Sequence, residues 1–406
     1  MTVFNTLRNP LMILGIGLGT FATYSYQVLI ARVLGPEDFG LLAALLALLG
    51  VIGIVASGLS PIAAQSSFEE DKPDQVWKFG QDQLYTTSLL ATIALAGFFS
   101  LFAVFFGQPL RLGSVPLVLV ACYIPLAAIY AIGGGRMQAA NRLMEMTWLS
   151  AGLAMIKLLS IAPISLFSLG ATSAIALVNV VSFVAVIAVM HATRNVNPGS
   201  AIFWDRKSIN TLFSITLFWT LSNSDLVAVK VLATDEDAGL YAAASSLGRV
   251  SLILSIIYVQ YRFHRFLKEY RQAGNSFSAT FTVWAVFPVA LLGLLLSGCF
   301  FISGDKLVSI IYGPVYLGSG TYLSYQAFLA TIVSVNYVLL NLSLIAEVRR
   351  IAPILSSITL LTIFAYLNSG YNAYVKLEIL FIANLILTLA LVLNAWFSQR
   401  NIRSTL

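Results

Sequence analysis

The chain has 406 residues, 59% of them hydrophobic and only 10% charged, with 23 Lys+Arg against 17 Asp+Glu and a net charge of +6. A soluble domain carries about 25% charged residues, so this composition excludes a water-soluble globular protein. It also turns the basic excess into a question of membrane sidedness rather than of nucleic acid binding. The two cysteines, Cys122 and Cys299, lie inside apolar runs and read as small core residues rather than as a disulfide or a metal site.

Apolar runs of about 18 residues or more read as membrane spans. In lipid such runs must be helices, because every backbone polar group has to be satisfied inside the segment. They occur at roughly 11–31, 39–62, 84–106, 115–134, 147–168 and 171–191, then at 209–233, 239–261, 277–302, 321–345, 352–370 and 376–397. The expected fold is an all-α membrane protein of about twelve transmembrane helices. The first run is too long for a typical signal core and further spans follow, so a cleavable leader is not expected. With this alternation, sixteen of the 23 Lys+Arg fall on the side of the N-terminus and five on the other, while Lys157 and Arg249 fall within spans. Cytoplasmic loops carry such an excess, which puts both termini in the cytoplasm. The stretch from Arg262 to Arg271, RFHRFLKEYR, is basic and aromatic and suits anionic headgroups on that side.

The chain repeats itself. ARVLGPEDFGLLAA, Ala31 to Ala44, aligns with VKVLATDEDAGLYAA, Val229 to Ala243, after one inserted residue. Arg32 falls on Lys230, Glu37–Asp38 on Glu236–Asp237, and Ala43–Ala44 on Ala242–Ala243. A second echo pairs Phe106–Gly107 and Leu112–Gly113–Ser114 with Tyr312–Gly313 and Leu317–Gly318–Ser319. Both echoes lie about half a chain apart at matching topological positions. The reading is two parallel six-helix repeats, 1–195 and 196–406, because an even number of spans starts both halves on the same side. Parallel repeats of this kind occur in transporters with a midplane substrate site; a duplicated structural protein is the other reading.

ARVLGPEDFG resembles the opening signature of bacterial polysaccharide flippases of the multidrug/oligosaccharidyl-lipid/polysaccharide (MOP) exporter superfamily. Three further stretches are similar to motifs of that family: Asp225 to Ala243, Ile311–Tyr312–Gly313–Pro314–Val315–Tyr316, and Gln138–Ala139–Ala140–Asn141–Arg142. The resemblance implies a two-lobe transporter of the bacterial cytoplasmic (inner) membrane. Its substrate would be an undecaprenyl-pyrophosphate-linked oligosaccharide repeat unit of O-antigen or exopolysaccharide biosynthesis, flipped by alternating access. The implied partners are that substrate, membrane lipids and polysaccharide assembly proteins, with the chain acting as a monomer. No cofactor is implied, although coupling to a Na+ or H+ gradient is open.

A charge at membrane depth costs at least ~2.5–3.5 kcal/mol on insertion scales and marks a functional position by default. Five positions qualify: Arg32, Lys157, Asp225, Lys230 and Arg249. Gln27 and Asp225 stand five residues before Arg32 and Lys230, so two related helices carry one polar pattern towards the expected lobe interface; snorkelling of the two cations to headgroups is the competing reading. Lys157 and Arg249 lie deeper and suit phosphate or anionic sugar oxygens. Asp225 reads either as a coupling-ion site or as the partner of a nearby lysine. Asn223, with Thr216, Thr220, Ser222 and Ser224, reads either as a sugar contact or as interhelical glue. Gly15, Gly17 and Gly19 read as close helix packing rather than a nucleotide loop. Gly133–Gly135, Pro125, Pro163 and Pro288 read as bending points.

No P-loop, HExxH or Cys/His cluster is present, and the outer loops are short. These observations disfavour an ATP-driven pump and an enzyme. A cation-coupled exporter of drugs or other small molecules within the superfamily, and a membrane glycosyltransferase or polymerase, are the alternatives to the flippase.

Overall fold

The structure, a computed structural model, describes residues 10–60, 63, 83–194, 206–272, 277–346, 351–370 and 372–403. It divides into two compact units, Met1–Asp205 and Arg206–Leu406, and their described residues contain no strand.

The first unit comprises α1 (Pro10–Ser57), α2 (Gln83–Phe106), α3 (Ser114–Ala139), α4 (Leu143–Leu159), α5 (Ile161–Leu166) and α6 (Ala171–Thr193). At 1.5 Å per residue the 48 residues of α1 would extend about 72 Å, more than twice a bilayer core of ~30 Å. α1 is therefore two spans, and the joint is Gly35, with φ 76° and ψ 173°. A Cβ is disfavoured in that conformation. Pro36 then opens the second span, where its missing N–H costs nothing. α4 and α5 make one span of 24 residues, Leu143–Leu166, interrupted at Ser160. Pro163 lies just beyond and lacks the N–H that would continue the hydrogen-bond ladder.

The second unit comprises α7 (Arg206–Leu232), α8 (Asp235–Gly248), α9 (Val250–Gln272), α10 (Ala279–Ile311), a 3₁₀ turn at Pro314–Tyr316, α11 (Ser319–Ile345), α12 (Ile351–Asn368) and α13 (Ala373–Arg403). α8 and α9 form one span broken at Arg249. Each unit thus holds six spans among the described residues, twelve in all, as the hydropathy reading expects.

The first sequence echo is one turn built in two ways. Where Gly35–Pro36 bends α1, the second unit has Ala233–Thr234 and a capped helix start. Thr234 Oγ1 accepts from the Asp237 N–H at 3.1 Å and donates to Asp237 Oδ2 at 2.7 Å. Asp235, Glu236 and Asp237 fill the first turn of α8, where carboxylates oppose the helix dipole. The second echo marks the starts of α3 at Ser114 and α11 at Ser319.

Each unit has its own core. Tyr85, Ile129, Ile132 and Val186 cluster in the first, and Val259, Phe266, Phe277, Val289 and Val338 in the second. Elsewhere large apolar side chains face outward, including Leu90, Phe98 and Phe105 on α2, which suits a multi-pass membrane protein solvated by lipid.

Three sequence expectations need correction here. Cys122 and Cys299 are exposed, not core residues, because an apolar run in such a protein has an outward face as well as an inward one. Gly133–Gly135 is a packing site, not a bend: α3 continues through it. A Cβ on Gly133 would lie 1.7 Å from Val189 Cγ1, and one on Gly135 2.0 Å from the Ser60 carbonyl oxygen. Gly15 and Gly19 do pack tightly, against Thr147 and Ala151 of α4, whereas Gly17 faces open space.

Candidate functional site

In the first unit α1, α3, α4 and α6 enclose a cavity of about 790 Å³. Gln27 and Gly50 of α1, Tyr123 and Tyr130 of α3, and Ser150 and Lys157 of α4 are on its wall. Lys157 is the one charged residue among the described residues that line it. Its ammonium sits over the ring of fully buried Tyr26, 4.5 Å from the centroid. No described carboxylate forms an ion pair with it. A cation–π contact contributes ~0.5–2 kcal/mol, less than the ~2.5–3.5 kcal/mol or more that a lysine costs at a helix centre. The internal contact with Tyr26 therefore falls short of that cost. The remaining wall is aromatic, hydroxylic and small. Tyr130 and Ser150 share a hydrogen bond at 3.1 Å, and Gly50 has nothing within 4 Å of where its Cβ would be.

The second unit places its intramembrane charges differently. Asp225 of α7 is fully buried, and the Arg249 guanidinium meets both its oxygens, at 2.7 and 2.9 Å. Arg249 also donates to Asn223 Oδ1 at 2.7 Å. Tyr241 donates its hydroxyl to Asp225 Oδ2 at 2.8 Å, and Gln326 Nε2 reaches the same oxygen at 3.3 Å. Four elements meet on one carboxylate: α7, α8, the α8–α9 joint and α11. The partner expected for Asp225 was a lysine; the correction is Arg249. Its Nη2 alone spans both carboxylate oxygens while Nη1 goes to Asn223, so the planar guanidinium bridges the acid and the amide of α7 from the break between α8 and α9.

Lys230 is engaged elsewhere: its Nζ bonds Asp235 at 2.5 Å, bracing the turn into α8. Arg32 is exposed, close to the Gly35 joint. Thus Gln27 and Lys157 share the cavity, Asn223, Asp225 and Arg249 share the cluster, and Arg32 and Lys230 belong to neither. Of the helix-seven hydroxyls, Thr216, Ser222 and Ser224 donate back to carbonyls of their own helix, the usual outlet for such groups.

Several residues escape sequence reasoning. Tyr26, Tyr241 and Gln326 look like ordinary span residues. Arg136 and Lys376 resemble loop cations at span ends, yet both are fully buried. Arg136 stacks over the Tyr85 ring, 4.5 Å from its centroid. Lys376 donates to the carbonyls of Tyr366, at 3.1 Å, and Gly370, at 2.5 Å, and to the Ser369 hydroxyl, tying off the end of α12.

The repeat relates the two sites. Gln27 is the counterpart of Asp225, five residues before Arg32 and Lys230 respectively. Continuing from the Ala43–Ala44 and Ala242–Ala243 match puts Gly50 opposite Arg249 and Leu42 opposite Tyr241. The first unit thus has a neutral amide and a glycine on its cavity wall where the second has its ion pair.

The fold defines the class. The structure is similar to the lipid II flippase MurJ in an inward closed conformation, with TM-score 0.71 and 11% identity over 95% of this chain and 87% of that one. It is also similar to an outward-facing multidrug resistance MATE family transporter of the MOP superfamily, with TM-score 0.58 and 14% identity over 97% and 96% of the two chains. A MATE protein in the straight conformation gives 0.56 and 14% over 97% and 94%. At such identities these likenesses establish the fold: that of a two-lobe MOP-type transporter. No curated protein matches the sequence. A family described as polysaccharide biosynthesis protein matches residues 29–258, more than half of the chain. The chain belongs to that family of polysaccharide biosynthesis proteins, and it is a multi-pass membrane protein with the fold seen in those flippase and transporter structures.

Proposed function

We propose that this protein flips an undecaprenyl-pyrophosphate-linked oligosaccharide repeat unit across the bacterial inner membrane, as a carrier rather than an enzyme, with both termini in the cytoplasm. The observation that carries the reading is the first unit's cavity, where among the described lining residues the one charged group is Lys157 and the other polar side chains carry hydroxyls and amides. A transported sugar needs hydroxyl partners and flat aromatic faces, and an anionic carrier lipid needs cations. The family match and the likeness to a lipid II flippase support the same direction. In this reading Gln27, Tyr123, Tyr130 and Lys157 contact substrate. Asn223, Asp225 and Arg249 hold α7, α8 and α11 together.

The wall speaks against an exporter of cationic drugs, because no carboxylate lines it among the described residues. The test is a strain lacking this chain. Completed lipid-linked repeat units should accumulate on the cytoplasmic leaflet. Incomplete glycans would instead indicate a transferase, and no lipid-linked glycan at all would contradict the flippase. The carboxylate oxygens of Asp225 are already occupied by Arg249 and Tyr241. Transport by Asp225→Asn should therefore keep whatever Na+ or H+ dependence the parent shows.

A further inference from the structure

In the second unit, the first turns of α11 and α13 hold a group that neither the cavity nor the Asp225 cluster uses. We infer that the groove between these two helices binds the headgroup of an ethanolamine phospholipid, with the carboxylate of Glu378 and the rings beside it taking the ammonium. Such a site needs the chain to be a membrane protein and needs nothing of the flippase reading.

Glu378 lies inside the last span, Ala373–Leu393, five residues past its start and so about 7.5 Å along the helix at 1.5 Å per residue. An acid inside a span marks a functional position by default. Asp225 is fully buried and paired, whereas Glu378 is exposed, and among the described residues no hydrogen bond or ion pair reaches its carboxylate. Lys376, two residues earlier, is buried with its ammonium on the carbonyls that end α12. It is therefore turned away from Glu378.

Aromatic rings bracket the acid. Tyr374, Glu378 and Phe381 stand at i, i+4 and i+7, on one face of α13. That face meets Tyr325 and Phe328 of α11. Tyr374 and Tyr325 pack edge to face with centroids 6.3 Å apart, and Phe381 and Phe328 stack at 5.8 Å. Glu378 thus falls between two ring pairs. Tyr322 stacks on Tyr374 at 4.5 Å and fixes that ring, while Tyr325 is 59% exposed and leaves the groove open.

Interfacial tyrosines are common in membrane proteins, but a belt of them does not call for an unpaired acid. Aromatic faces with a carboxylate select an organic ammonium, the rings by cation–π attraction and the acid by charge. A primary ammonium also gives N–H donors to the carboxylate, which a trimethylated one lacks. The hydroxyls of Tyr325 and Tyr374 make no hydrogen bond among the described residues and are free to donate to an adjoining phosphate. Beyond Glu378 the same face of α13 continues as Ile382, Leu385 and Leu389, all exposed, which is the apolar track an acyl chain requires. An ethanolamine phospholipid brings all three: ammonium, phosphate and chain. A soluble amine or an inorganic cation would match the acid and leave the track unused.

Native mass spectrometry of the full chain, taken from vesicles of equal parts phosphatidylethanolamine, phosphatidylglycerol and phosphatidylcholine, measures which lipid stays bound. The parent should retain the ethanolamine lipid about tenfold over either of the others, the factor expected of one charge-assisted hydrogen bond. Glu378→Asp should keep that preference. Glu378→Gln, of the same size and without the charge, should lose it. The residue is exposed and unpaired, so neither substitution should disturb folding. Added phosphatidylethanolamine should raise the melting temperature of the parent and not that of Glu378→Gln. Equal retention of the three lipids by the parent, or a preference that survives in Glu378→Gln, would overturn the inference and leave Glu378 as an interface carboxylate only.

Discussion

The two units share two short sequence echoes and hold six spans each, yet they treat intramembrane charge in opposite ways. The second unit satisfies its charges internally: Arg249, Asp225, Tyr241 and Gln326 form a closed set in which the buried carboxylate accepts from three side chains. The first unit leaves Lys157 on a cavity wall with an aromatic ring for company. Counterpart positions carry an acid and an arginine in one unit, and an amide and a glycine in the other. The difference teaches that a charge at membrane depth is not by itself a substrate site. What separates structure from function is whether the protein has already supplied the counter-charge.

Substitutions can break or sharpen that contrast. The largest effect should come from Asp225→Leu, which strands Arg249 without its carboxylate. Removing one partner of a buried pair costs about 3–5 kcal/mol, so thermal unfolding in detergent should drop sharply and expression should fall. Asp225→Leu with Arg249→Met should recover most of that loss, since an apolar replacement of a whole pair is often neutral. A double variant as unstable as the single one would show that the cluster does more than balance its own charge.

Next in size is Lys376→Met. It strips three hydrogen bonds from the end of α12, two of them to carbonyls, at a cost of about 1–3 kcal/mol. The readout is the same melting curve, and transport per folded molecule should be unchanged. Gly50→Leu should leave the melting temperature within a few degrees, because nothing packs against that position. It should cut transport at least tenfold by filling the cavity. The smallest effect on stability belongs to Lys157→Met, which loses a cation–π contact of ~0.5–2 kcal/mol but also removes the cost of holding a cation at membrane depth and keeps an apolar stem against the Tyr26 ring. Equal stability of the parent and Lys157→Met is itself the expected outcome.

Span number and the repeat are legible in the sequence because hydropathy and turn residues are local signals. Gly35–Pro36 and Thr234 to Asp237 announce their joints through backbone and cap chemistry alone. The candidate site is half legible. Lys157, Asp225 and Arg249 stand out as charges in apolar runs, and Gln27 follows from the repeat. Which charge meets which partner is a matter of helix rotation and helix breaks, and that is not local. Asp225 reaches Arg249 because the chain breaks there between α8 and α9. Gly50 is silent as a lone glycine and acquires meaning only against Arg249. Arg136 and Lys376 sit at span ends, where a snorkelling cation is the ordinary reading, and only packing reveals them as buried.

The central claim is that the cation on the cavity wall serves transport while the paired cation serves the fold. The most direct measurement is leaflet-resolved flipping of the lipid-linked oligosaccharide by Lys157→Met and by the Asp225→Leu/Arg249→Met double variant, each normalised to folded protein in the same membrane. The account predicts that Lys157→Met loses at least tenfold and that the double variant stays within about twofold of the parent, a change in barrier of roughly 0.4 kcal/mol. Transport surviving in Lys157→Met but lost in the folded double variant would contradict it.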